Sequence, residues 1–195
     1  MASLTLNDIE DIRAYERHRD EFRREIIALK KVRRVSLGPI LTLLFENRET
    51  IRFQVQEMAR AEKLFSDEAI EVELGIYNRL IPSKNQLSAT LFLELTSKDQ
   101  LIEWLPKLVG IEDSIELQIN GLDESVAAYC EESHKEQLTR NEMTASVHYI
   151  RFDLSDRQVE ALQRNGGLIK STHFRYLHEV ELAQTTVDSF VGDWI

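Results

Sequence analysis

Apolar residues in the first part of the chain recur with the spacing of an α-helix. Up to about Lys31 they alternate at steps of three and four residues: Ile12, Tyr15, Phe22, Ile26 and Leu29. This spacing places them on one face of a long helix. The basic run at 30–34 then lies at the end of that helix, where cations complement its negative pole.

A second helix is predicted over 48–65, and both helices interrupt their apolar face with one charge. The second stripe consists of Ile51, Val55, Met58 and Phe65, with Glu62 at the missing step. The first helix has Arg19 within its own stripe. Because an unpaired buried charge is costly, we predict that Arg19 and Glu62 form an ion pair where the helices pack. The alternative is that Glu62 lies at the edge of its stripe and reaches water.

A small β-ribbon is predicted between these two helices. Short apolar runs at 34–36 and 40–45 flank the turn dipeptide at 38–39. A two-stranded ribbon is not stable alone, so we expect it to lie on a helix or on a later sheet. A shorter third helix follows through about Tyr77, and Pro82 closes the segment.

From Ser88 onward the hydrophobic pattern has the period of β-strands. Strand, helix and strand follow one another twice, and SATLFLELTSKDQL at Ser88 aligns without gaps on SVHYIRFDLSDRQV at Ser146. This order is typical of a ferredoxin-like βαββαβ sandwich. Because the two units match, we predict that their first strands are adjacent and parallel. The chain is therefore predicted to be an α+β protein with a helical N-terminal subdomain, 1–82, closely packed on a ferredoxin-like subdomain, 83–195.

Five segments spread over most of the chain carry a resemblance: FENR at 45–48, QVQEMARAEK at 54–63, LSATLFLEL at 87–95, LVGIE at 108–112 and SVHYIRF at 146–152. They are similar to the uncharacterised bacterial domain-of-unknown-function family 3501, whose members have no established activity. Members are often encoded beside rubrerythrin-like and iron–sulfur oxidoreductase proteins. The resemblance therefore implies a bacterial protein with a link to oxidant defence or electron transfer and a redox protein as a possible partner.

Composition and charge narrow the classes of function. The formal net charge of -10 argues against a nucleic-acid-binding protein, which needs clustered Lys and Arg. There is no run of about eighteen apolar residues and the N-terminus is too polar for a signal peptide, so we expect a cytoplasmic protein that does not bind membranes. The single cysteine, Cys130, cannot form a disulfide or a multi-thiolate metal site within the chain. An acidic, weakly periodic segment over 120–143 is interpreted as an excursion.

The familiar motifs of catalysis, nucleotide binding and metal binding are absent, so no cofactor or metal site is predicted. Two sets of candidate ligand-binding residues remain. Arg52, Gln56 and Arg60 share the polar face of the second helix at four-residue steps, which suits an anion. His148 and His178 each lie beside apolar residues on a predicted strand. For these two, a hydrogen-bonded core histidine is the alternative.

These patterns favour a cytoplasmic accessory or binding protein linked to redox systems by its family resemblance. The alternative is an enzyme or small-anion-binding protein that uses the polar face of the 48–65 helix. A homodimer is also predicted, because a ferredoxin-like sandwich covers only one face of its sheet with its own helices. Its contact is expected on the sheet or on the C-terminal helix around Trp194.

Overall fold

Two four-stranded antiparallel sheets form the centre of the protein. The computed structural model describes residues 2–130, 139–140 and 143–194, so part of the acidic segment 120–143 lies outside the described residues. The strands are β1 Arg34–Leu37, β2 Leu41–Glu46, β3 Gln86–Leu93, β4 Ile115–Ile119, β5 Ser125–Ala127, β6 Thr139–Arg140, β7 Met143–Thr144, β8 Val147–Asp153, β9 Gly167–Ser171 and β10 His178–Glu181. The first sheet has the order β1-β2-β3-β8 and the second β10-β9-β4-β5, while β6 and β7 form a separate short pair.

Most of the helices begin at polar caps, as their sequences indicate. They are α1 Ile12–Arg33, α2 Arg48–Glu62, α3 Asp67–Tyr77, α4 Lys98–Trp104, α5 Asp156–Asn165 and α6 Gln184–Trp194. Short 3₁₀ turns lie at Leu6–Asp8, Asn78–Leu80 and Ile111–Ser114. The side chains of Asn47, Ser97 and Ser155 each accept a hydrogen bond from the backbone amide three residues later. Within the described residues, no helix combines the length and the apolar character needed to cross a membrane.

The two sheets face each other across the main hydrophobic core. Their fully buried side chains include Leu43, Leu91 and Ile150 from the first sheet and Leu117 and Ile169 from the second. Helices α5 and α6 add Leu162, Val187 and Phe190. The sheets also approach at one edge, where Tyr129 and Arg151 exchange two backbone hydrogen bonds of 2.9 Å. The strands therefore enclose most of the core.

At the other edge, the turn between β1 and β2 packs against the second sheet through Tyr176. The Tyr176 hydroxyl donates to the carbonyl of Leu37 at 2.7 Å and accepts from the amides of Ile40 and Leu41 at 3.1 and 3.2 Å. Gly38 has a φ of +70°, and a Cβ there would lie 2.6 Å from the Tyr176 oxygen. Only glycine fits this turn without strain. The predicted ribbon thus exists, and it is part of the first sheet.

The N-terminal helices cover the other face of the first sheet. All six residues of β2 are buried. One small core lies around α1 and contains Tyr15, Phe22 and Ile26. A second lies between α2 and α3 and includes Ile51, Val55 and Leu74. The sheet on which a homodimer contact was predicted is therefore covered by its own chain, and the homodimer itself stays a prediction.

The α+β class and the helical N-terminal half are confirmed, but the strands of the C-terminal half are not arranged in one ferredoxin-like sheet. Strands β3 and β8 are adjacent as predicted, yet they are antiparallel. Strands β4 and β9 pair antiparallel in the other sheet, so each strand–helix–strand unit crosses between sheets. Hydrophobic alternation indicates which face of a strand is buried, but it does not fix the partner or its direction.

Candidate functional site

The arginines predicted to bind an anion already have partners within the chain. The Arg52 guanidinium lies 2.9 Å from the carboxylate of Glu49 and 4.4 Å from the ring centroid of Phe22. Arg60 lies 3.3 Å from the carboxylate of Glu16 on α1. An incoming anion would have to displace an acid from each cation. The central part of the polar face of α2 therefore packs against α1 within the protein.

Gln56, the third predicted anion ligand, is also engaged. Its side chain is buried and pairs with the backbone of Glu10: its oxygen accepts from the amide at 2.9 Å and its nitrogen donates to the carbonyl at 2.9 Å. These two hydrogen bonds to the backbone of a single residue anchor the segment before α1 to α2. Binding a ligand through Gln56 would leave two backbone groups without their partners, which is costly.

The ion pair between α1 and α2 forms with Glu57 rather than with Glu62. Arg19 donates from Nε and Nη2 to the two carboxylate oxygens of Glu57 at 2.7 and 2.8 Å. The Tyr15 hydroxyl donates to the same carboxylate at 2.6 Å. Hydrogen bonding by Arg19, with a smaller contribution from Tyr15, lowers the pKa of Glu57 to about 2. Glu62 is exposed. The two helices pack as predicted, and the predicted acidic partner is wrong.

The error in the acidic partner arises because the predicted stripe continues beyond the end of α2. Lys63 adopts a left-handed conformation with a φ of 57° and ends the helix. The chain turns there, and Phe65 is 80% exposed instead of completing the apolar face. The most buried apolar residues of α2 follow four-residue steps: Ile51, Val55 and Ala59. Ile51 and Val55 pack in the core between α2 and α3, whereas α1 lies against a different face of α2 that carries Phe53 and Glu57. Glu57 rather than Glu62 therefore meets Arg19.

The two predicted histidines lie on different sheets and do not form one site. His148 on β8 is fully buried, and its Nε2 lies 2.8 Å from the carbonyl of Ala145 and 3.0 Å from the hydroxyl of Thr144. A carbonyl only accepts, so Nε2 carries a proton. His178 is exposed at the start of edge strand β10, with its ring 4.4 Å from that of Tyr176. His148 thus has the environment of a hydrogen-bonded core histidine.

A buried acid that the sequence pattern did not single out faces the other nitrogen of His148. Glu112 Oε2 lies 3.7 Å from His148 Nδ1, and neither atom has a hydrogen-bond partner among the described residues. Burial lowers the pKa of His148, and the negative charge of Glu112 opposes that change. Both side chains are closed to solvent, so this pair belongs to the interior and does not form an open site.

Arg33, which belongs to the basic run at the end of the first helix, is buried and contacts three elements of the fold. Its guanidinium donates to the carbonyls of Phe45 and Glu46 at 2.8 and 3.1 Å and to the hydroxyl of Ser189 at 2.8 Å. It also lies 2.7 Å from the carboxylate of Asp193. Arg33 therefore ties α1, β2 and α6 together. One signal was present in the sequence, since Arg33 continues the three–four alternation of the buried face of α1.

Metal ligands are not clustered in the described part of the chain. None of its groups of His, Cys, Asp and Glu has three or more members placed to hold a metal ion. Cys130 is buried and lies directly before residues 131–138, which are outside the described ranges.

Helix α3 is apolar on two opposite faces, and only one of them is packed. The inner face, with Ile70, Leu74 and Tyr77, packs in the small core between α2 and α3. The outer face carries Ala69, Val72 and Ile76, which we call the outer stripe. These residues are spaced by three and four, so they adjoin one another along the helix. Val72 is 62% exposed and Ile76 is 54% exposed.

A small groove lies at the N-terminal end of α3. It is lined by apolar side chains that include Leu6, Ile9, Leu64, Phe65 and Ile70, with Glu10, Asp11 and Asp67 also at its walls. Its volume is about 140 Å³. Pockets for small organic ligands measure roughly 300 Å³ or more, so this groove is the size of one or two protein side chains. None of its lining residues belongs to the outer stripe, so the outer stripe alone is the candidate binding surface.

Comparison with known proteins places this fold in a family without assigned function. The structure is similar to the crystal structure, at 1.90 Å resolution, of a novel protein of unknown function from Burkholderia pseudomallei K96243. The TM-score is 0.90, the sequences are 34% identical, and the match covers 100% of both chains. No curated protein matches the sequence significantly. The model of the family described as "Protein of unknown function (DUF3501)" matches residues 3–194, and the chain therefore belongs to that family.

Proposed function

We propose that this protein is an accessory protein of the bacterial cytoplasm that acts by binding another protein. The outer stripe of α3 carries the proposal. Val72 and Ile76 are more than half exposed although the opposite face of the same helix is well packed. Burying such a side chain is favourable by about 1.5–3 kcal/mol, and contiguous exposed apolar surface is typical of interaction sites.

The contacts of α2 favour this proposal over an enzyme or an anion-binding protein. Arg52 and Arg60 each have an acid of the chain within 3.3 Å, and both polar atoms of the Gln56 amide are hydrogen-bonded to backbone. A binding site for a small anion needs donors that are free to turn toward it. These three side chains instead hold the N-terminal segment and α1 against α2.

Two finer proposals concern the partners. A redox protein is proposed as the partner because of the family resemblance, and identification of a bound protein tests this. Self-association is proposed because two-fold dimers are the commonest oligomers of soluble chains. Light scattering distinguishes a monomer of 22.7 kDa from a particle of twice that mass. A monomer mass at about micromolar concentration would reject a stable homodimer.

The proposed function is tested by comparing three immobilised forms of the protein in extracts of cells that produce it. The forms are wild type, Val72→Glu/Ile76→Glu, and the control Ile27→Glu/Ile102→Glu, whose two sites are 54% and 63% exposed on other helices. We expect at least one protein to be retained by wild type and control and reduced about tenfold or more by the α3 variant, since two interface residues together contribute more than 1.4 kcal/mol in a typical hot spot. Identical sets of bound proteins would contradict the proposal. Thermal unfolding confirms that all three forms are folded.

A further inference from the structure

We infer that the occupant of the outer stripe is a cationic amphipathic helix of a partner protein, which lies along α3. This inference rests on the proposed function and specifies the partner. A helix that presents apolar side chains at three- and four-residue steps is a common ligand for an apolar helix face or groove. The charge around the stripe and the space above Gly75 support this partner.

Acidic residues flank the outer stripe on both sides. At 100° per residue, Glu68 and Glu71 lie on one side of it and Glu73 lies on the other. None of these three carboxylates forms an ion pair with a cation of the described chain. There is no Lys or Arg between Lys63 and Arg79. An apolar stripe with acids on both flanks is complementary to a helix with an apolar face bordered by Lys or Arg.

Gly75 is the second observation that points to a helical partner. It lies inside α3, where glycine costs about 1 kcal/mol relative to alanine. Its φ is not positive, and a Cβ at this position would meet nothing within 4 Å. The packing of the chain itself therefore gives no reason for glycine here. On a helical wheel of α3, Gly75 lies beside the outer stripe and next to Glu71. The missing side chain at this position allows a second helix to approach closely.

The same charges argue against two other occupants. A two-fold contact between the α3 helices of two copies would bring together two sets of acids, in a chain whose formal net charge is already -10. Like charges across an interface are unfavourable. An anionic membrane surface would be repelled in the same way. A cationic amphipathic helix satisfies both features, because its cations are attracted by the acids and its apolar face covers the outer stripe.

The first test measures binding of a synthetic amphipathic peptide of about 14 residues, four helical turns, with Leu on one face and Lys on the others. Fluorescence anisotropy is measured with wild type, with Glu68→Lys/Glu71→Lys, and with the control Glu179→Lys/Glu181→Lys. The control makes the same change in net charge at exposed positions of β10. We expect the α3 variant to bind about tenfold more weakly and the control to bind like wild type, because nearby charges dominate once salt screens beyond about 10 Å. Equal weakening in both variants would show attraction to net charge alone and overturn the inference.

The second test uses Gly75. Gly75→Leu is expected to weaken binding of the same peptide about tenfold by blocking close approach. Gly75→Ala removes the glycine penalty and raises the unfolding temperature, which separates helix stability from binding. Unchanged peptide binding by Gly75→Leu would contradict the inference. So would a change in oligomeric mass on Val72→Glu/Ile76→Glu, since it would identify a second copy as the occupant.

The outcomes separate this inference from the proposed function. A protein captured through Val72 and Ile76 whose binding is insensitive to salt, or a Leu/Glu peptide that binds as well as the Leu/Lys peptide, would leave the proposed function standing and reject the cationic partner. Absence of any α3-dependent protein from the captured set would reject the proposed function itself.

Discussion

Helices α2 and α3 follow one another in the chain, and each has a second face besides the one that packs in the core between them. These second faces differ in both composition and exposure. Helix α2 has a charged and amide-rich face, and its Arg60, Gln56 and Glu57 side chains bond to α1 or to the segment before it. Helix α3 has an apolar second face, and Val72 and Ile76 remain largely exposed. The residues that look most reactive in the sequence are thus internal, and the candidate binding surface consists of unreactive ones. Polar side chains show a site only when their partners within the chain are known.

The largest expected effect concerns the internal polar contacts at Arg33. Arg33→Ala is expected to destabilise the protein by about 3–5 kcal/mol, because buried carbonyls lose their donor and the Asp193 carboxylate loses its paired cation. Urea unfolding followed by circular dichroism measures this. Arg34→Ala is the control, since Arg34 is about half exposed and pairs with Glu94 at the surface. Similar losses in the free energy of unfolding for both variants would show that the buried contacts of Arg33 contribute no special stability.

The next comparison is made within α3. Leu74→Ala is expected to cost about 2–5 kcal/mol, because Leu74 is 5% exposed and packs in the small core. Val72→Ala is expected to change the free energy of unfolding by less than about 0.5 kcal/mol, because Val72 is exposed. A large loss of stability for Val72→Ala in the purified protein would mean that the outer stripe is already covered within the chain.

The α1–α2 contact is tested by two acids of the same helix. Glu57→Gln is expected to cost about 1–3 kcal/mol, since it weakens charge-assisted bonds from Arg19 and Tyr15. Glu62→Gln is expected to change stability by less than about 0.5 kcal/mol, because Glu62 is exposed. The reverse order of these two losses would restore the pair predicted from the sequence.

The pH dependence of stability gives the smallest of these effects. The bond from Arg19 lowers the pKa of Glu57 from 4.5 to about 2. The ionised carboxylate therefore contributes stability above pH 4.5, and this contribution is lost as the pH falls toward 2. After allowance for solvent screening, the wild type should lose about 1–2 kcal/mol more than Glu57→Gln over this interval. Parallel profiles for the two proteins would contradict the assignment.

The sequence predicted local structure better than tertiary pairing. Helix caps such as Asn47 and Ser97 can be predicted from the sequence, because the capping side chain and the backbone amide that it binds are only three residues apart. The partner of β3 is not visible, since its apolar residues on both faces fit either strand direction. Glu112 and His148 are brought together only by the fold, and no local pattern connects them. The inner and outer faces of α3 look alike in sequence, so the site could not be assigned before the packed face was known.

The most direct test of the account is photo-cross-linking in living cells with a benzophenone amino acid placed either at Val72 or at Arg52. A protein adduct is expected from position 72, and an excess of the Leu/Lys peptide should compete with it. No intermolecular adduct is expected from position 52, because the Arg52 side chain lies against Glu49 and Phe22. An adduct from position 52 without one from position 72 would contradict the account. It would return the candidate site to the polar face of α2.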